Sequence, residues 1–138
     1  MPVGHINIGS NIGDRLFFIE QAVIALKERL DPHLKVSSPF YSKPDGFISD
    51  NEFVNVGIMF RSHLDPFDLL RLLLDIQASV DPSSHRDEKG NYIDRKIDID
   101  LITYGKWRLT SPFLTLPHPH MLRRDFVMIP LRELQPGF

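Results

Sequence analysis

The chain has 138 residues, of which 42% are hydrophobic and 25% charged, a composition typical of one soluble globular domain rather than of disorder. Its 16 Lys and Arg against 18 Asp and Glu leave a formal net charge of −2, which argues against nucleic-acid binding. Cysteine is absent, which excludes disulfides and thiolate chemistry. No apolar run approaches the roughly 20 residues of a membrane span, and residues 1–8 lack the pattern of a signal peptide. We therefore expect a single cytoplasmic domain over residues 1–138.

The first half of the chain alternates between strand and helix patterns. A strand is predicted over 3–8, with Ile6 and Ile8 on one face and His5 and Asn7 on the other. An amphipathic helix is predicted over 14–30, with an apolar stripe made of Leu16, Ile19, Val23, Leu26 and Leu30. A second strand over 34–42 and a loop over 43–51 follow, since Pro44, Asp45 and Gly46 are turn formers.

The next two elements have the clearest patterns. Residues 52–61 alternate as a strand, whose predicted core side comprises Val54, Val56, Ile58 and Phe60. A helix is predicted over 65–80, with Asp65 as N-cap and Pro66 in the first turn. Its apolar stripe comprises Leu69, Leu72, Leu73, Ile76 and Val80.

A long polar loop over 81–94 precedes a strand over 96–104. Short strands are expected over 107–109 and 113–116, and one or two helical turns over 120–134. The β-α-β-β-α-β order predicts an α+β ferredoxin-like sandwich, with two helices on one face of a mainly antiparallel sheet. The opposite face is then free to carry a functional site.

Two carboxylates in the predicted strand, Asp98 and Asp100, are the strongest chemical signal. The period of a strand places them on one face, with Cα atoms about 7 Å apart. Such a pair either binds a cation, for which magnesium is suited, or forms a solvated face paired with basic residues. Arg95 lies three residues earlier and is suited to clamp a phosphate, and Arg86, Lys89, Arg123 and Arg124 add positive charge.

His118 and His120 flank Pro119, and such a pair binds zinc when a third ligand is available. If Asp98 and Asp100 supply that ligand, the protein is a metallohydrolase; otherwise these are two loop histidines. Phe53 and Asn55 share the non-core face of their strand, where a ring can stack and an amide can read the edge of a planar heterocycle. The alternative is a small hydrophobic cluster under the loop over 43–51.

Five segments in chain order resemble the 6-hydroxymethyl-7,8-dihydropterin pyrophosphokinase family of folate biosynthesis. They are Ile8-Gly9-Ser10-Asn11, Ser38-Pro39-Phe40-Tyr41 with Pro44-Asp45-Gly46, Phe53-Val54-Asn55, the run D-R-K-I-D-I-D-L over 94–101, and Leu116-Pro117-His118-Pro119 with Arg124-Asp125-Phe126-Val127. The resemblance implies transfer of diphosphate from ATP to the pterin hydroxymethyl group, with release of AMP. We also expect small-molecule substrates, no nucleic acid or membrane partner, and a monomer.

The resemblance also implies roles for individual residues. Asp98 and Asp100 would hold two Mg²⁺ ions on the ATP phosphates, and the triphosphate would contact Arg95, His118 and Arg124. The pterin would lie between Phe53 and Phe126, against Asn55. The remaining implied contacts are Ser42, Pro44 and Asp45 for the pterin, and Thr115 for the nucleotide.

The loop over 81–94 departs from the family pattern. The family's G-R-x-R segment is reduced to a single arginine, Arg86, and Tyr92 stands where the family has tryptophan. We expect these two residues to contact the nucleotide. Two alternatives remain open: a metal-dependent phosphohydrolase that uses Asp98, Asp100, His118 and His120, and a catalytically silent homologue that binds pterin or nucleotide.

Overall fold

The protein is described by a computed structural model of residues 1–43, 52–82 and 95–138. Its elements, in chain order, are β1 (Val3–Ser10), α1 (Arg15–Arg29), β2 (Lys35–Val36), β3 (Phe40–Ser42), β4 (Phe53–Arg61), α2 (Pro66–Val80), β5 (Asp98–Tyr104), β6 (Leu109–Thr110), β7 (Thr115–Leu116), the 3-10 turn Met121–Arg123 and α3 (Asp125–Leu134).

The main sheet is antiparallel throughout, and β1 lies at its centre. The strand order is β2-β4-β1-β5, and β3 pairs with the other half of β4. Ile6 lies opposite Ile58 on one side and Leu101 on the other. This order and the two connecting helices confirm the predicted α+β sandwich.

The core lies between the sheet and the pair α1 and α2. Ile6, Ile8, Ile58 and Ile76 are fully buried there, which confirms the predicted inward faces of three elements. The predicted stripe of α1 is wrong at Leu16, whose surface is 49% exposed. Ala22 takes part in the core instead, because a small side chain allows α1 to approach its neighbours closely.

Both long helices begin at an aspartate cap, of which the Asp65 cap was predicted. The Asp14 carboxylate accepts a hydrogen bond from the Phe17 amide at 3.1 Å, and that of Asp65 accepts one from the Phe67 amide at 2.9 Å. Each cap satisfies an amide of the first turn that has no partner within its helix. Pro66 follows Asp65 directly, at a position where the lack of an amide hydrogen costs nothing.

The segments at the sheet edges are shorter than predicted. The strand expected over 34–42 is two separate strands, β2 and β3. The strand expected from residue 96 begins at Asp98, and the later short strands occupy Leu109–Thr110 and Thr115–Leu116. Short strands at an edge have few partners, so their hydrophobic pattern alone does not define their ends.

A third helix, α3, packs on the sheet face that was expected to be free. Val127 and Leu131 of α3 are fully buried against Ile102 of β5. The pairing of β5 with β1 shifts register between His5 and Ile6, so an extra residue of β5 is accommodated there. The prediction of two helices on one face is therefore incomplete, because the segment over 120–134 forms a ten-residue helix on the other.

Gly57 of β4 sets how closely α3 approaches the sheet. A Cβ atom on Gly57 would lie 2.9 Å from Leu131 Cδ2 and 3.1 Å from both the Leu131 amide nitrogen and the Pro130 carbonyl carbon. Two of these three atoms belong to the helix backbone, which cannot rotate out of the way. None of the helices in the described part of the chain is long and apolar enough to cross a membrane.

Substituting Gly57→Ala is expected to lower the free energy of unfolding by about 1–3 kcal/mol, because the new methyl group pushes α3 away from the sheet. Urea unfolding followed by circular dichroism measures this change. Gly137→Ala is the matched control, since a Cβ there meets nothing within 4 Å. Equal stability of the two variants would contradict the close packing of α3 on β4.

Candidate active site

A cavity of about 340 Å³ opens on the sheet face that carries α3. Gly9 lies at its centre, because the strand register places it directly opposite Asn55 of β4 and Asp98 of β5. Because Gly9 has no side chain, the Asn55 side chain lies close above it, and a Cβ on Gly9 would lie 2.6 Å from Asn55 Oδ1. Asn55 and Asp98 both line the cavity, so one bound molecule can contact Asn55 and approach Asp98.

The two carboxylates lie on this face, as the strand pattern predicted, and both line the cavity. Arg95 Nη1 donates to Asp98 Oδ2 at 3.1 Å, and the Arg95 guanidinium lies 5.8 Å from the centre of the Phe53 ring. Desolvation raises the pKa of Asp100 well above its usual range, and the neighbouring Asp98 carboxylate raises it further. Arg95 thus forms an ion pair with Asp98, whereas burial and the charge of Asp98 disfavour the ionised form of Asp100.

Arg95 is held from the end of β1 by Asn11. The Asn11 amide nitrogen donates to the Arg95 carbonyl at 3.0 Å, and Asn11 Oδ1 accepts from the Arg95 amide at 2.7 Å. Asn11 is itself buried. Sequence reasoning noted Asn11 only as part of a motif, because its partner lies 84 residues away.

His118 lines the cavity beside the carboxylates. Hydrogen bonds from two nearby backbone amides define which of its ring nitrogens carries the proton. Its Nδ1 accepts hydrogen bonds from the Met121 amide at 3.2 Å and the His120 amide at 3.4 Å. The ring proton is therefore on Nε2, which leaves that atom as a donor. Desolvation lowers the pKa of His118, and His120 lowers it further, so the ring is neutral at neutral pH.

The predicted histidine pair does not form a metal site within the described residues. His118 and His120 both line the cavity, with ring centres 6.5 Å apart. However, no group of three or more His, Asp or Glu among residues 1–43, 52–82 and 95–138 is arranged to hold a metal ion. The zinc-type site of the phosphohydrolase alternative is therefore not formed there.

The opposite end of the cavity is aromatic and polar. Phe53 and Phe126 both line it and are half-buried, whereas Asn55 is buried rather than exposed beside Phe53. Among the residues that the structure describes, neither Asn55 Nδ2 nor Ser42 Oγ, both buried, has a hydrogen-bond partner. Such groups are costly unless a ligand satisfies them, so this end is built for a flat molecule with polar edges.

A second cavity, of about 320 Å³, continues from the same carboxylates toward α2. It shares Asp98, Asp100 and His118 with the first, and Thr115 lines it, as does the apolar Leu70 of α2. Gln77 of α2, which sequence reasoning missed, accepts a hydrogen bond from the Ile99 amide at 2.8 Å on the outer edge of β5. The two cavities thus meet at the carboxylate pair.

The remaining predicted site residues divide into two groups. Arg124 lines the first cavity at the beginning of α3. Pro44, Asp45, Arg86 and Tyr92 lie outside the described residues. Asn7, Gly9 and Lys43 also line the first cavity and were not predicted as site residues, although the register of Gly9 between Asn55 and Asp98 identifies it once the sheet is known.

One cavity of this α+β sandwich is lined by paired carboxylates, two arginines and a neutral imidazole, and the other end of that cavity is aromatic. This combination is typical of an enzyme that transfers a phosphoryl or diphosphoryl group between small molecules.

Comparison with known proteins identifies the family. The sequence profile of the family described as 7,8-dihydro-6-hydroxymethylpterin-pyrophosphokinase (HPPK) matches residues 5–136. The chain is 35% identical over 137 residues to the 2-amino-4-hydroxy-6-hydroxymethyldihydropteridine pyrophosphokinase of Porphyromonas gingivalis, which covers 99% of this chain and 92% of that protein. It is 32% identical to the proteins of the same name from Aquifex aeolicus and Bacillus subtilis, over 82% and 77% of their lengths. The chain belongs to the HPPK family, as the sequence motifs indicated.

Gly9→Ala is expected to displace the Asn55 amide, because a Cβ atom on Gly9 would lie 2.6 Å from Asn55 Oδ1. We expect a loss of about 1–3 kcal/mol in the free energy of unfolding. In an Asn55→Ala background the same substitution should cost much less, since the clashing oxygen is gone. A double-mutant cycle by urea unfolding measures this coupling, and additive effects would show that Gly9 and Asn55 do not contact.

Proposed function

We propose that this protein transfers the terminal diphosphate of ATP to the hydroxymethyl group of 6-hydroxymethyl-7,8-dihydropterin, with release of AMP, in folate biosynthesis. The observation that carries this proposal is the continuity of the two cavities at Asp98 and Asp100. One cavity suits a planar heterocycle and the other suits a nucleotide. Membership of the HPPK family supports this assignment.

The pterin ring occupies the aromatic end of the first cavity in this proposal. Phe53 and Phe126 stack on its two faces, and the unpartnered Asn55 Nδ2 donates to an acceptor on the ring edge. Ser42 Oγ, also unpartnered, contacts the ring edge as well. Both polar atoms then gain a partner on binding, which favours a heterocycle over an apolar ring of the same size.

The nucleotide occupies the second cavity. Its base lies against the apolar side chains of α2, including Leu70, and Thr115 contacts the nucleotide. The triphosphate extends to Asp98, Asp100 and His118, which line both cavities. The pterin hydroxymethyl group and the β-phosphate of ATP therefore meet where the cavities join.

The carboxylate pair fits magnesium. Both ligands are hard oxygens, and Mg²⁺ is commonly held by one or two carboxylates together with substrate phosphates. Burial, and then the neighbouring Asp98 carboxylate, raise the pKa of Asp100, and a bound cation would favour its ionised form. Asp98 and Asp100 would hold the ions. Bound magnesium would neutralise charge on the phosphates of ATP and orient them.

The protein's own residues bind and orient the reactants. The pterin hydroxyl oxygen attacks the β-phosphorus and its proton is released to solvent, the bond from that phosphorus to the oxygen bridging to the α-phosphate breaks, and AMP leaves. Arg95 and Arg124 stabilise negative charge on the phosphates, and His118 donates from Nε2 as a neutral hydrogen-bond donor. Because Arg95 is fixed by Asp98 and Asn11, little reorganisation is needed at that residue.

Analysis of the nucleotide product tests the reaction. Purified protein with ATP, Mg²⁺ and 6-hydroxymethyl-7,8-dihydropterin is expected to form AMP, and a reaction without pterin is expected to form none. Chromatographic separation of AMP, ADP and phosphate makes the measurement. ADP or phosphate in both reactions would instead favour a phosphohydrolase, and no product in either would favour a silent homologue.

Asp98→Asn and Asp100→Asn are each expected to lower kcat on the order of 10³-fold, because the site loses the charge that holds the phosphates in position. The KM for pterin should change far less, since Phe53, Asn55 and Phe126 are untouched. Asp68→Asn is the matched control, because Asp68 pairs with Arg71 on the exposed side of α2. Normal turnover of both site variants would refute the roles of the carboxylates.

A further inference from the structure

A proline inside α3 removes the usual partner of a carbonyl next to the site. Pro130 is the sixth residue of this helix, Asp125–Leu134, and proline has no amide hydrogen. In an α-helix the carbonyl of Phe126 accepts from the amide of residue 130. That intrahelical bond cannot form here, so the Phe126 carbonyl requires a donor from elsewhere.

The donor is a side chain of the central strand. Asn7 Nδ2 donates to the Phe126 carbonyl oxygen at 2.9 Å, across 119 residues of sequence. Asn7 is 2% exposed, and its position in β1 is fixed by pairing with Gly57 on one side and Asp100 on the other. This hydrogen bond, the tether, therefore joins Asn7, which pairs with the proposed metal-binding residue Asp100, to Phe126, a proposed pterin-stacking residue.

We infer that Asn7 is a positioning residue for Phe126: its bond to the carbonyl left free by Pro130 ties the first turn of α3 to β1 and sets the Phe126 ring against the pterin. This inference rests on the proposed function, since it assigns the placement of one wall of the proposed pterin site. Apolar packing of Val127 and Leu131 on the sheet also holds α3. Asn7 adds a directed hydrogen bond at the carbonyl of Phe126 itself, at the end of the helix where the ring must lie at stacking distance.

Steady-state kinetics of Asn7→Leu test this role. Leucine has a similar volume and no donor, so the tether is lost while the space stays filled. We expect the KM for pterin to rise about tenfold and the KM for ATP to stay within about twofold. In a Phe126→Ala background, Asn7→Leu should have no further effect on the KM for pterin, because Asn7 acts through that ring. A full additional rise there would show that Asn7 contacts the substrate directly, and would overturn the inference.

A second set of variants distinguishes a role of Asn7 in positioning Phe126 from a role that only satisfies the buried Phe126 carbonyl. Pro130→Ala restores an amide hydrogen that can bond to the Phe126 carbonyl within α3. In the double variant Asn7→Leu/Pro130→Ala we expect the stability lost in Asn7→Leu to return, while the KM for pterin stays raised. This variant also keeps the test valid if Asn7→Leu folds poorly. Pro130→Ala alone serves as the control for loss of the proline ring.

Two further results would overturn the inference. One is an unchanged KM for pterin in Asn7→Leu, and the other is recovery of that KM together with stability in the double variant. The wild-type protein is assayed first for AMP formation that depends on pterin. Absence of AMP there would refute the proposed function itself. If the wild type is active and Asn7→Leu leaves the KM for pterin unchanged, only the role of Asn7 is refuted.

Discussion

The pleat of β1 is the constraint on which both the core and the site depend. Successive side chains of a strand point to opposite faces, so Ile6 and Ile8 are buried beneath α1 and α2 while Asn7 and Gly9 face the cavity. A shift of one residue in register would exchange these sets and place polar groups in the core. Because β1 is paired on both sides, the energy that buries the isoleucines also fixes the geometry of the site.

The carboxylate pair is the second organising feature. Asp98 is partnered by Arg95, but desolvation and Asp98 itself raise the pKa of Asp100. Two carboxyl groups thus lie side by side at a partly buried position, where oxygen ligands of this type can bind a cation. The pair lines both cavities, so a molecule bound in either cavity lies beside it.

The helix α3 connects the second face of the sheet to the site. Its apolar residues Val127 and Leu131 pack on the sheet, and its first turn brings Arg124 and Phe126 to the cavity. Gly57 permits the close approach, and Asn7 replaces the donor that Pro130 lacks. Packing and hydrogen bonding of one short helix therefore determine where a basic and an aromatic side chain lie.

The sequence by itself determined the α+β class, the Asp65 cap of α2 and the faces of β1, β4 and β5, because these follow from local periodicity and local hydrogen bonds. It also determined the family, since the motifs occur in order along the chain. Tertiary structure alone decided that α3 covers the second face, that Gly9 lies between Asn55 and Asp98, and that Asn7 and Asn11 reach Phe126 and Arg95. These contacts join residues up to 119 positions apart, and such pairings arise from strand register and helix packing, which local patterns do not encode.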